Sequence, residues 1–96
     1  MDKRLQEIML ITQEECAEVT QAISKVFRFG FAGKYNGKSN KESLEEELGD
    51  LECMIELLKQ EFAVDRKKIE DAKIRKTQKL NTWSENIKTE IVSDCV

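Results

Sequence analysis

The sequence has no histidine, no proline and only 4 glycines in 96 residues. Without histidine there is no imidazole to act as base, nucleophile or metal ligand. With so few breakers, long uninterrupted helices are expected. Cysteine is scarce and odd in number, 3 in all, with no paired spacing. Free thiols in a reducing compartment are therefore expected rather than a disulfide framework. No run of about 18 apolar residues is present, so no membrane span is expected. Nor do the opening residues Met1-Asp2-Lys3-Arg4 lead into the apolar stretch of a signal peptide, and a cytoplasmic location is expected. There is no excess of charge of one sign. Sixteen basic residues stand against 19 acidic ones, for a net charge of −3. That balance argues against nucleic-acid binding through a general basic surface and against disorder. Hydrophobic residues make up 40%, enough for one small core. A chain of this length buries only about 60–65% of its unfolded surface, so self-association is expected.

What is present is helical periodicity. The spacing predicts one all-α domain over residues 1–96, with helices at about 2–28, 40–61 and 66–91. In the first, Leu5, Ile8, Met9, Cys16, Val19, Ala22, Ile23, Val26 and Phe27 form a broad apolar stripe. The second carries Leu44, Leu48, Leu51, Ile55, Leu58 and Phe62, and the third Ile69, Ala72, Leu80, Trp83, Ile87 and Ile91. Residues 29–39 hold three of the four glycines and read as a loop. Ser39 is the expected cap of the second helix, with Glu42 three residues on as in a capping box and Asn40 as the competing cap. Asp65 is the expected cap of the third.

Acids interrupt these stripes. Glu15 lies about 50° from the centre of its stripe, among Ile8, Ile11, Val19 and Ala22, and Glu18 follows one turn on at the stripe's edge. Glu47 repeats the anomaly on the second helix, beside Leu44, Leu48, Leu51 and Leu58, and Asp50 follows three residues on. Residues at i and i+3 share a face, so each helix presents two carboxylates where an apolar contact is due. Four such groups need protonation, ion pairing or a divalent cation. Oxygen donors without histidine favour a hard ion, Mg²⁺ or Mn²⁺. The alternative is that the acids reach solvent at a flank and pair with lysines. On the third helix Lys73 and Lys76 fall inside the stripe, either to meet a substrate's negative charge or to snorkel. Lys25 and Arg28 end the first helix, where they either meet phosphate or complement the helix dipole. Phe29 and Phe31 either belong to the core or, with Tyr35, are able to stack on a base, while Asn36 is able to read a base edge and Lys34 and Lys38 to touch phosphate. The glycines do not have P-loop spacing.

Glu14-Glu15-Cys16-Ala17-Glu18 matches a Glu-Glu-x-x-Glu motif, and Glu47-Leu48-Gly49-Asp50 matches Glu-x-x-Asp, with 28 residues between Glu18 and Glu47. In this order, followed by a third helix, they resemble the signature of the MazG-like all-α nucleoside triphosphate pyrophosphohydrolases. The segments around Lys25-Val26-Phe27-Arg28 and Asn40-Lys41-Glu42 are similar to the short members found in bacteriophages and bacteria. The resemblance implies an all-α helical bundle of three main helices per chain, completed by oligomerisation as a homodimer or homotetramer. It implies Mg²⁺-dependent conversion of a (d)NTP to a (d)NMP and pyrophosphate, with nucleotide-pool cleaning as the role. Carried over by position, Glu15, Glu18, Glu47 and Asp50 would hold the metal, and Glu14 would hold or deprotonate the attacking water. Lys25, Arg28, Lys73 and Lys76 would bind the substrate. Many relatives carry Asn four positions after the lysine that Lys73 matches; here Thr77 stands there. The rival readings are a non-catalytic helical interaction module, antitoxin-like or an adaptor, and a di-iron carboxylate bundle. The first does not explain acids in apolar stripes. The second normally uses Glu-x-x-His pairs.

Overall fold

The structure is a computed structural model and describes residues 1–90. The fold is all-α, with three helices and very little strand among the described residues. It forms two compact units, Met1–Ala63 and Val64–Val96.

The first unit is a helical hairpin. Helix α1 spans Lys3–Phe29, where 2–28 was expected. Asp2 caps it, accepting from the Leu5 N–H at 2.8 Å, which satisfies one of the first-turn donors left over in any helix. Gly30, at φ +79, ends it. The connecting segment is more ordered than the expected loop. Lys34–Tyr35 (β1) and Lys38–Ser39 (β2) pair antiparallel around Asn36-Gly37. Both turn residues have positive φ, 52° and 79°, the requirement of a type I′ turn, and Asn-Gly is its strongest sequence signal. Helix α2 spans Asn40–Glu61. Ser39 caps it as expected, accepting from the Glu42 N–H at 3.1 Å. The capping box is not reciprocal, because the Ser39 hydroxyl also donates to the Glu42 carboxylate at 3.2 Å.

Asn40 has a different task from the capping role it competed for. It is 6% exposed, and its amide donates to the Gly30 carbonyl at 2.9 Å. Its backbone N–H donates to the Gly33 carbonyl at 2.8 Å. These bonds tie the end of α1 to the start of α2. At the opposite end Arg4 pairs with Glu61 at 2.8 Å. The two helices therefore run antiparallel.

The residues shielded on each helix follow a 3-4 spacing. On α1 they include Leu5, Ile8, Thr12, Glu15, Val19, Ala22 and Val26, and on α2 Asn40, Leu44, Glu47, Leu51, Met54, Leu58 and Glu61, with Ile11, Ser43, Leu57 and Lys59 half-buried beside this row. Such spacing keeps one narrow seam facing its partner along the helix. The seam is narrower than the stripes expected from the sequence. Met9, Cys16, Ile23 and Phe27 of α1 are exposed, as are Leu48, Ile55 and Phe62 associated with α2. Cys16 and Cys53 are free thiols; Cys95 lies outside the described residues.

In the second unit α3 spans Arg66–Trp83. Asp65 caps it as expected, accepting from the N–H groups of Lys67 and Lys68. The helix expected to continue to 91 stops eight residues earlier, because polar side chains capture the backbone beyond Trp83. The Ser84 hydroxyl accepts from Ile87 N–H at 2.9 Å. The Asn81 amide brackets Thr89, donating to its carbonyl at 2.8 Å and accepting from its N–H at 2.7 Å. Ile87 is thus off the helix, and Ile91 lies outside the described residues. Trp83 is 82% exposed.

Candidate metal centre

The seam positions of Glu15 and Glu47 decide the site. Each occupies a place where the 3-4 spacing calls for an apolar residue, so each carboxylate points at the facing helix and is half-buried. Asp50, one turn after Glu47, is exposed and completes a cluster. One oxygen from each of Glu15, Glu47 and Asp50 lies within 4.8 Å of the others.

Its electrostatics are unfavourable as they stand. Glu15 Oε2 is buried and has no hydrogen-bond partner, a condition that costs about 1–3 kcal/mol or more for a charged group. Glu47 is pushed above the usual glutamate value, first by desolvation and then by the charges of Glu18, Asp50, Glu15 and Glu46. Among the described residues no lysine or arginine pairs with Glu15, Glu47 or Asp50. Lys38, whose charge interacts with that of Glu47, is turned to Glu46, to which it donates at 2.7 Å.

These residues fit a hard divalent cation. The donors are all carboxylate oxygens, the choice of Mg²⁺ or Mn²⁺. The buried unpaired oxygen of Glu15 is the kind of atom a cation satisfies.

The other sequence candidates fall into three groups. Glu18 is exposed and outside the three-oxygen cluster, though its charge is felt at Glu47. Glu14 is exposed on α1. Lys25 and Arg28 sit near the hairpin, Lys25 with its ammonium 5.5 Å from the Tyr35 ring centroid and Arg28 5.3 Å from that of Phe29. Lys73 and Lys76 belong to the second unit. Lys73 is half-buried, whereas Lys76, expected inside the stripe, is exposed, and Thr77 is buried instead. A one-residue shift of the shielded face accounts for the difference.

Two features escaped the sequence reading. The Lys38–Glu46 pair follows from no local pattern, since eight residues separate its members. The joining of Lys25, Lys34 and Tyr35 in one cleft follows from the hairpin, which Asn36-Gly37 announces.

No curated protein and no solved structure matches the chain. The profile of one family, the MazG nucleotide pyrophosphohydrolase domain, matches residues 3–87, which include both acidic motifs and all of α3. With a family profile covering most of its length and paired carboxylates on two antiparallel helices, the chain belongs to the MazG nucleotide pyrophosphohydrolase domain family.

Proposed function

We propose that the protein is a Mg²⁺-dependent nucleoside triphosphate pyrophosphohydrolase, with Mn²⁺ an acceptable substitute, and that it converts (d)NTPs to (d)NMPs and pyrophosphate. The observation that carries this reading is the convergence of Glu15, Glu47 and Asp50 within 4.8 Å in a chain of this family. When bound, the cation neutralises phosphate charge and acidifies water. Glu15, Glu47 and Asp50 hold it, and Glu18 joins them by turning its exposed side chain inward. Glu14, on the same turn, orients the attacking water and accepts its proton. Lys25, Arg28, Lys73 and Lys76 bind the substrate's negative charge, which no acidic cluster accommodates alone. The working form is a homodimer or homotetramer that clears the nucleotide pool of the cytoplasm, the host's if the chain is phage-encoded.

The test is the identity of the products. Incubation with a panel of (d)NTPs and Mg²⁺, resolved by chromatography, should give monophosphate and pyrophosphate. Release of orthophosphate with a diphosphate would overturn the reading.

A further inference from the structure

At the hairpin end of the first unit lies a cleft of about 620 Å³ lined by Lys25, Phe29, Gly33, Lys34, Tyr35 and Asn40. Its position relative to the carboxylates follows from helix geometry. A seven-residue step returns an α-helix to within about 20° of the same face and advances it by about 10.5 Å. Lys25 stands seven residues beyond Glu18, and Asn40 seven before Glu47. Both walls of the cleft therefore continue the faces that carry the acids, two turns further along.

The chemistry of the lining is specific. Phe29 and Tyr35 offer exposed aromatic faces, on which a base stacks whatever its identity. The Lys25 ammonium lies against the Tyr35 ring and restrains its orientation. An N–H of the Asn40 amide is already committed to the Gly30 carbonyl. The charged groups of the cleft, Lys25 and Lys34, are donors with no acceptor capacity. Guanine presents O6 and N7, and thymine presents O4, as acceptors on the edge away from the sugar. Where guanine has O6 and thymine O4, adenine and cytosine present an amino group, which an ammonium repels, so adenine keeps only N7 as an acceptor beside it.

Resting on the reading that the substrate is a nucleoside triphosphate, we propose that this cleft receives the base, with Tyr35 as its stacking platform, and that Lys34 selects keto bases over amino bases. Specificity thus resides in the connection between the helices, and the chemistry in the seam.

Two measurements on the intact chain test this. In the first, ¹⁵N-labelled protein in EDTA is titrated with dGMP, dTMP, dAMP and dCMP. The amide signals of Gly33 and Tyr35 should shift with dGMP and dTMP at concentrations about tenfold lower than with the other two. Lys34→Met should narrow that ratio towards one, and Tyr35→Ala should remove the shifts. Equal binding of all four, no shift at these amides, or wild-type binding by Tyr35→Ala would overturn the proposal. So would a short thymidine oligonucleotide binding far more tightly than dTMP, which would mark a strand-binding groove. In the second, hydrolysis of dGTP by Tyr35→Ala should show KM raised about tenfold with kcat within about twofold, the pattern of lost ground-state binding. A loss confined to kcat would overturn the assignment. Base-selective mononucleotide binding without any hydrolysis would sink the pyrophosphohydrolase reading and leave the cleft assignment standing.

Discussion

Glu47 sits among like charges in a half-buried seam position, and the cost can be measured. Burial and four neighbouring acids raise its value above the ordinary glutamate range. Between the ordinary value and the raised one, the folded metal-free chain binds more protons than the unfolded chain. Stability then rises as pH falls through that window and is lost as pH climbs out of it. Urea unfolding in EDTA should therefore give a smaller pH 7-minus-pH 5 stability for the wild type than for Glu47→Gln, which has no proton to exchange. A wild type and variant with the same pH dependence would show that Glu47 is unperturbed. Added Mg²⁺ or Mn²⁺ should reverse the penalty. The wild-type Tm should rise by several degrees, the scale of about 1 kcal/mol or more in a domain of this size, while Glu15→Gln and Glu47→Gln lose both that increment and the hydrolysis. Retention of full activity by both variants would remove the carboxylates from the site.

The elements were legible in the sequence to different depths. Both ends of α2 and the start of α3 were plain, because Ser39-x-x-Glu42 and Ala63-Val64-Asp65 are strong local punctuation. The acids were legible because Glu15 and Glu47 interrupt apolar periodicity. The stripes were drawn too wide, since Leu48 and Ile55 satisfy a 3.6-residue period yet lie off the 3-4 seam. Nothing in the local pattern says which of two neighbouring apolar residues faces the partner helix. The end of α3 was missed for another reason. Ile87 and Ile91 continue the period, but Asn81 and Ser84 take the backbone bonds that continuation would need. Glycines supply a check on how these elements are joined. A Cβ on Gly33 would lie 2.7 Å from the Phe29 carbonyl oxygen and 2.9 Å from the Asn40 amide nitrogen. Gly33→Ala should cost about 1–3 kcal/mol. Gly49, inside α2 with open space around it, should behave oppositely, with Ala adding about 1 kcal/mol. Thermal melts of the two variants should shift in opposite directions, and a shift of the same sign would show that the Gly33–Asn40 contact does not govern the connection.

At the scale of the whole molecule, Met9, Leu10, Ile23 and Phe27 of α1 are exposed, Phe27 at 87%. A second copy of the chain would cover such a face, in keeping with the proposed dimer or tetramer. Sedimentation equilibrium should find a mass above that of one chain, and Leu10→Asp should shift it towards the monomer. A monomeric wild type at micromolar concentration would end that reading. The second unit's share in the chemistry is tested through Lys73. Lys73→Met retains most of the apolar stem, and kcat/KM should fall about tenfold, or about 1.4 kcal/mol of transition-state stabilisation. Exposed Lys76 should lose less on the same change, with Lys79→Met as the surface control. Equal losses at all three would mean diffuse attraction without a positioned contact.

The 3-4 seam of α1 and α2 also bears on how the hairpin chooses its alignment. A regular repeat is degenerate: sliding α2 along α1 by one heptad superposes Leu on Leu with little loss. The polar members break that degeneracy. A slip of seven residues would carry Glu47 about 10.5 Å away, leaving Glu15 and Glu47 as two separate charges in different layers of the seam. Arg4–Glu61 and Asn40–Gly30 would part in the same movement. The residues most expensive to bury are thus the ones that make a single alignment distinguishable from its neighbours, as a lone polar residue does in a coiled coil. Replacing them all with leucine would yield a hairpin with stronger cohesion and several competing registers.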